Sequence, residues 1–253
     1  MEQKIKQMLH KIEEEEQLEV LYAVESGSRA WGFQSEDSDY DVRFIYRRPK
    51  NWYLKLEKTA DHLEIPITEE LDICGWDLDK TLRLLQKSNP ALLEWLNSPL
   101  VYAANSQFIT EIRQLNEGNL NEQRLIHHYL HMAEGNYREY LKKDQVRIKK
   151  YFYVLRPVLA CMWIQTYHQL PPVLFEELLT LPALSPDLLQ IIDELLVRKK
   201  RGDELDLETR IPMLNQFLEE QIELFSEYVK GLEQGPAISS DQLNAFFLKW
   251  IQQ

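Results

Sequence analysis

Apolar residues recur at helical spacing near the start of the chain. Ile5, Met8, Leu9 and Ile12 fall within residues 2–17 and predict an amphipathic helix with one buried stripe. The acidic run Glu13 to Glu16 then reads as a solvated face or helix end. Val20 to Val24 is a short apolar run that stops at a glycine-containing turn, the pattern of a buried strand. Val42 to Tyr46 carries β-favouring residues and predicts a second strand, which Pro49 ends. Residues 51–63 mix aromatic and charged positions and read as an insertion with a short helix or strand. Glu69 to Gly75 predicts a third strand. A helix follows over Asp77 to Gln86, with Leu78, Leu82 and Leu85 on one side and Asp77 suited to the N-cap. Ser88-Asn89-Pro90 breaks the chain, and Pro90 fits the first turn of a helix running to Leu96.

Beyond residue 105 only helical periods remain. They cover Ser106 to Leu115, Asn121 to Leu141, Ile148 to His168, Pro172 to Thr180, Ser185 to Lys199, Leu207 to Leu232 and Asp241 to Gln253. Prolines 171, 172, 182, 186 and 236 mark the joints. The expected fold class is α+β. A small mixed-sheet domain spans residues 1–104, and an all-helical subdomain spans 105–253.

Composition narrows the class. The 253 residues include 44% hydrophobic positions, six Trp and twelve Tyr, enough for a substantial core. No apolar run is long enough for a membrane span, and the first residues lack the apolar stretch of a secretion signal. Two cysteines, Cys74 and Cys161, make no disulfide framework and read as buried free thiols, which fits a cytoplasmic protein. A net charge of −12 argues against strong nonspecific binding to long nucleic acid, while leaving room for a local basic cleft.

One stretch names a chemistry. Ser26-Gly27-Ser28-Arg29 is followed by Asp39-Tyr40-Asp41, between two strand-like runs. Glycine lets backbone amides approach a phosphate, and serine adds a hydroxyl donor. Aspartates two apart on a strand share a face. Two convergent carboxylates suit Mg²⁺, with Mn²⁺ as an alternative, because these hard cations take oxygen ligands and share them with phosphates. Phosphate cradle and metal pair together form the minimum apparatus for moving a nucleotide from a triphosphate.

This segment resembles the Gly-Ser…Asp-x-Asp signature of the DNA polymerase beta-like nucleotidyltransferase superfamily. The fuller string from Ser26 to Arg43, with Trp31 and Tyr40, is similar to a narrower bacterial and phage group that includes RNA-ligase-associated polymerases. The strings Leu71-Asp72-Ile73-Cys74-Gly75-Trp76-Asp77-Leu78 and Ser88-Asn89-Pro90…Glu94-Trp95-Leu96…Ser98-Pro99 resemble the same group. The likeness is clear over roughly residues 15–100 and fainter over 149–175. It implies a palm-like catalytic domain and a third acid, for which Asp72 is the choice and Asp77 the rival. If Asp72 lies on the metal face, strand parity puts Cys74 there too and Ile73 in the core.

The resemblance implies metal-dependent transfer of a nucleoside monophosphate from a triphosphate to an acceptor hydroxyl. Asp39, Asp41 and Asp72 would be the metal ligands and catalytic acids. Gly27, Ser28 and Arg29 would take phosphate oxygens. Lys149, Tyr153 and Arg156 interleave bases and aromatics near one helical face, able to hold triphosphate oxygens and stack a base, or to serve as an ordinary amphipathic helix. Arg43, two residues past Asp41, pairs with a carboxylate or with phosphate. His127, His128 and His131 lack the remaining elements of a zinc motif. Arg198 to Arg201 is a basic helix end. The expected partners are a nucleoside triphosphate and an RNA 3′ end; a protein or small-molecule acceptor also stays open, as does an inactive antitoxin-like nucleotide- or partner-binding module.

Overall fold

The structure is a computed structural model, and it describes residues 1–57, 60–65, 70–202 and 207–252. Glu69 of the expected third strand and Gln253 of the expected last helix lie outside the described residues. In chain order the elements are α1 (Glu2–Glu16), β1 (Glu19–Glu25), α2 (Gly27–Ala30), β2 (Tyr40–Arg47), α3 (Lys50–Tyr53), β3 (His62–Glu64) and β4 (Leu71–Asp77). Then come α4 (Leu78–Gln86), α5 (Pro90–Leu96), β5 (Val101–Ala104), α6 (Ser106–Asn116) and α7 (Glu122–Asn136). After a π-helical turn over Tyr137–Leu141 follow β6 (Gln145–Arg147), α8 (Ile148–Tyr167), α9 (Phe175–Leu178), α10 (Pro186–Arg201) and β7 (Leu207–Thr209). The chain closes with α11 (Pro212–Tyr228) and α12 (Ser240–Ile251).

Packing divides the chain into two units. The first holds residues 1–30, 39–120 and 236–253; the second holds 31–38 and 121–235. A cut after residue 104 follows where long strands stop. Packing instead draws α6 and α12 to the first unit, where Phe108 of α6 meets the Trp250 ring of α12 edge-on at 5.1 Å.

A five-stranded mixed sheet in the order β3-β4-β2-β1-β5 forms the first unit's frame. β2 and β4 are parallel; the other neighbours are antiparallel. One face is apolar. Val42, Phe44 and Tyr46 of β2 and Leu71 and Ile73 of β4 pack with Ile5, Leu9 and Ile12 of α1. Each such buried side chain contributes about 1.5–3 kcal/mol. Period-two alternation therefore turns Asp41, Arg43, Asp72 and Cys74 to the opposite face. Gly75 is required here because a Cβ at that position would collide with the Phe44 ring.

Local signals placed the helix starts. Asp77 caps α4 by accepting from the Asp79 N–H at 2.9 Å, and Asn89 caps α5 with Pro90 as its first residue. Ser185 and Pro186 open α10 in the same way.

The second unit differs from the helical expectation in three places, one being that the helix expected over Pro172 to Thr180 is only the single turn Phe175–Leu178. Residues 137–141 leave the α-helical repeat for a π turn. The expected helix from Leu207 begins instead as β7, which pairs with β6 in an antiparallel two-stranded ribbon, and α11 starts only at Pro212. Pro212 lacks the N–H an interior helical position needs, so the helix begins there. Among the described residues no helix is long and apolar enough to cross a membrane.

Candidate active site

The parallel register sets Asp41 directly beside Asp72. Both side chains are about one-third exposed, at 30% and 32%. Arg43, on the same face, lies between them. Its Nη2 donates to Asp41 Oδ1 at 3.2 Å and to Asp72 Oδ2 at 2.7 Å, while Nη1 donates to the carbonyls of Val42 and Asp72, each at 3.1 Å. The open alternative for Arg43 is thus resolved toward the carboxylates. Cys74 sits on this face, half-buried, and Ile73 is in the core, as strand parity requires.

The turn after β1 meets the same carboxylate. Gly27 has φ +60°, a conformation that costs other L-residues energy, and an added Cβ would run into Asp41 Oδ2. Glycine is needed on both counts. The Asp41 backbone is held at both ends: its N–H donates to Glu25 Oε1 at 2.8 Å, and its carbonyl accepts from the Ser26 N–H at 2.8 Å. Ser28 and Arg29 follow in α2, both half-buried. Arg29 stacks on the Tyr40 ring at 3.7 Å, and its Nε donates to the Asp39 carbonyl at 3.1 Å. Asp39 is exposed, one residue before β2.

Burial is the main influence on Asp41 and raises its carboxyl above the ordinary value. Arg43 opposes the rise; the charges of Asp72 and Asp39 add to it. Glu25 was not singled out from sequence. It is fully buried at the end of β1, and its second oxygen accepts from the Tyr102 hydroxyl. Burial raises its carboxyl too, against the hydrogen bonds from Tyr102 and from Asp41 N–H. The available signal was a charged residue closing an apolar strand just before the Gly-Ser turn.

Among the described residues, no three His, Cys, Asp or Glu side chains gather closely enough to hold a metal ion. Asp39 thus does not complete a three-carboxylate cluster with Asp41 and Asp72 here. The pair itself fits a hard cation: its donors are all oxygen, and both carboxylates already converge on one positively charged nitrogen.

Lys149, Tyr153 and Arg156 stand on α8 in the second unit. Arg156 is buried; it stacks on Trp31 at 4.6 Å and donates to the Val173 carbonyl at 3.4 Å. Tyr153 is exposed, and Lys149 is half-buried. His127, His128 and His131 are exposed on α7.

A Gly-Ser turn thus abuts a strand carboxylate, with a second carboxylate in register on the neighbouring strand. The chain belongs to the RNA repair pathway DNA polymerase beta family (RlaP), whose model matches residues 1–249. It is 46% identical over 253 residues to "Uncharacterized protein YcgL" of Bacillus subtilis (strain 168), a match spanning 100% of this chain and 97% of that protein. Among solved structures, a nucleotidyltransferase-like protein from Exiguobacterium sibiricum 255-15 aligns with 98% of this chain and 80% of its own, at 11% identity and a TM-score of 0.35. That likeness is too distant to carry an argument.

Proposed function

We propose that the protein transfers a nucleoside monophosphate from a nucleoside triphosphate to an acceptor hydroxyl, and that the acceptor is an RNA 3′ end. The observation that carries this reading is the convergence of Asp41 and Asp72 on one Arg43 nitrogen, against the positive-φ turn at Gly27. The family, described as an RNA repair pathway DNA polymerase beta family, supports a nucleotidyltransferase, and its description is in keeping with an RNA acceptor.

Asp41 and Asp72, joined by Asp39 from the exposed segment before β2, are the residues that would hold Mg²⁺ or Mn²⁺. Such an ion, when bound, supplies positive charge to the triphosphate and orients it. Gly27 and Ser28 take the β- and γ-phosphates through backbone N–H groups and the serine hydroxyl. Arg29 adds a cation at the same turn. Arg43 holds the two carboxylates together. Glu25 fixes the Asp41 backbone so that the carboxylate points at the turn. The acceptor oxygen attacks the α-phosphorus, the bond to the β-phosphate breaks, and pyrophosphate leaves. Asp41 or Asp72 takes the acceptor's proton.

A second reading has one observation in its favour. Arg43 already neutralises the pair, as it would in a nucleotide- or partner-binding module without transfer.

The test is incubation with each of four labelled triphosphates, Mg²⁺ and a panel of RNAs, followed by mass analysis of RNA and protein. Addition of a nucleotide to RNA 3′ ends, lost in Asp39→Ala/Asp41→Ala while the protein stays folded, is expected. Unchanged turnover in the double variant refutes the assignment, and triphosphate binding without product favours the module.

A further inference from the structure

Positive charge gathers in several segments of this acidic protein, and one of them lies beside aromatic rings. The chain has 41 acidic and 29 basic residues, yet residues 138–150 hold six basic side chains (Arg138, Lys142, Lys143, Arg147, Lys149, Lys150) and two acidic ones, Glu139 and Asp144. Among the described residues none of the six forms an ion pair. Arg138, Lys142, Lys143 and Arg147 are exposed, and Lys149 and Lys150 are half-buried.

The fold brings these cations to aromatic rings. The π turn carries Tyr140, and α8 carries Tyr153. The Lys150 ammonium lies 3.7 Å from the Tyr140 ring centroid and 4.9 Å from that of Tyr153. Tyr153 keeps 39% of its surface exposed. Such π turns recur at functional sites. β6, between the two ring-bearing elements, carries Arg147, and exposed Arg210 joins at the ribbon's edge, where its N–H donates to the Asp144 carbonyl at 3.0 Å.

The cations repel one another. The Lys150 ammonium is pushed below its ordinary value by burial and then by Lys149 and Arg147, with Glu139 opposing. The first turn of α8 holds no acidic residue to offset them. A solvated face has no need of this arrangement, whereas a polyanion with flat bases satisfies both halves. Phosphates neutralise the cations, and bases stack on the solvent-facing part of the Tyr153 ring.

We propose that the surface formed by Tyr140, Lys142, Lys143, Arg147, Lys149, Lys150 and Tyr153 binds single-stranded RNA. It deepens the proposed function by giving the acceptor strand a seat in the second unit, and it rests on the RNA part of that reading.

The test uses the full chain and fluorescence anisotropy of a short labelled single-stranded RNA across a salt series. Lys142→Ala/Lys143→Ala should weaken binding about tenfold or more and flatten the log–log salt slope by about 1.4, at roughly 0.7 per phosphate contact on a single strand. Tyr153→Ala should weaken it about tenfold with the slope unchanged, while Tyr153→Phe should match wild type. Thermal melts confirm that each variant is folded. RNA bound more tightly than its duplex, than DNA of the same sequence and than an acidic peptide supports the proposal. Equal or tighter binding of any of these, or wild-type RNA affinity in both Lys142→Ala/Lys143→Ala and Tyr153→Ala, overturns it. The Asp39→Ala/Asp41→Ala protein separates the two claims. Retained RNA binding without transfer supports both. Transfer by the wild-type chain that is indifferent to the surface variants defeats the surface alone.

Discussion

β2 and β4 run side by side in parallel, and each end of the pair carries aspartate. At the amino end Asp41 faces Asp72; at the carboxyl end Tyr46 faces Asp77. The amino-end carboxylates are about one-third exposed and share a single guanidinium. Asp77 is 3% exposed, and its oxygens are taken by the Asp79 N–H at 2.9 Å and the Tyr53 hydroxyl at 3.2 Å. Residue type and strand are the same; what differs is the partner. Asp77 is committed to neutral donors within the fold, whereas Asp41 and Asp72 share a side-chain cation. This contrast in partners is the reason we propose Asp72, rather than Asp77, as the third acid.

The sharpest break in that comparison is loss of the amino-end acids. Asp39→Ala/Asp41→Ala should lower nucleotide incorporation by at least about 10³-fold, roughly 4 kcal/mol of transition-state stabilisation, with the melting profile of a folded protein. Labelled-triphosphate assays read the first and far-UV melts the second. An equal loss of transfer in Asp77→Asn would erase the distinction between the two ends.

Gly27→Ala comes next. The variant must place a side chain at positive φ and against Asp41, a strain of about 1–3 kcal/mol. We expect transfer to fall about 10²-fold, and urea midpoints will show how much of the strain appears as lost stability. Full activity with full stability would show that the turn and the carboxylate are not coupled.

Asp77→Asn sharpens the contrast from the other side. Burial pushes the Asp77 carboxyl up to about 6, from 3.8. The folded state therefore holds the proton more tightly than the unfolded chain does. This contribution to stability is fully present below about pH 4 and is lost as pH rises through about 6. Asparagine keeps the cap without the charge. It should flatten that part of the stability–pH profile and raise stability at neutral pH by on the order of 1–3 kcal/mol, with transfer unaffected. Urea unfolding at pH 4.5 and 7.5 checks the sign.

Arg43→Gln should show the smallest effect. The ion pairs are partly exposed, so screening limits the stability loss to about 1 kcal/mol. Removing a positive charge from between the carboxylates should tighten Mn²⁺ binding a few-fold, read by paramagnetic resonance. Weaker Mn²⁺ binding would mean that Arg43 assists the cation instead of standing in its place.

Much of this was legible in the sequence because the signals were local. The apolar run before Ser26 and strand parity fixed which face Asp41, Arg43, Asp72 and Cys74 share, whereas Asp39, expected two apart on the same strand as Asp41, lies one residue before β2. Caps at Asp77, Asn89 and Ser185 were legible from single residues. What was missed depends on distant partners. β6 and β7 have three residues each, too few to carry a period, and β5 is a four-residue strand with two exposed and two half-buried positions. Glu25 meets Asp41 sixteen residues away and Tyr102 seventy-seven away, and no spacing rule joins them. Arg156 looked available on a helical wheel and is buried against Trp31, a residue from a segment far upstream.

The account stands or falls on whether the amino-end pair holds a divalent cation with a triphosphate. The most direct measurement is Mn²⁺ paramagnetic resonance with a non-hydrolysable triphosphate, comparing wild type, Asp41→Asn/Asp72→Asn and Asp77→Asn. Triphosphate-dependent Mn²⁺ binding in wild type and Asp77→Asn, abolished in Asp41→Asn/Asp72→Asn, is the predicted result. Equal Mn²⁺ binding in all three proteins contradicts it.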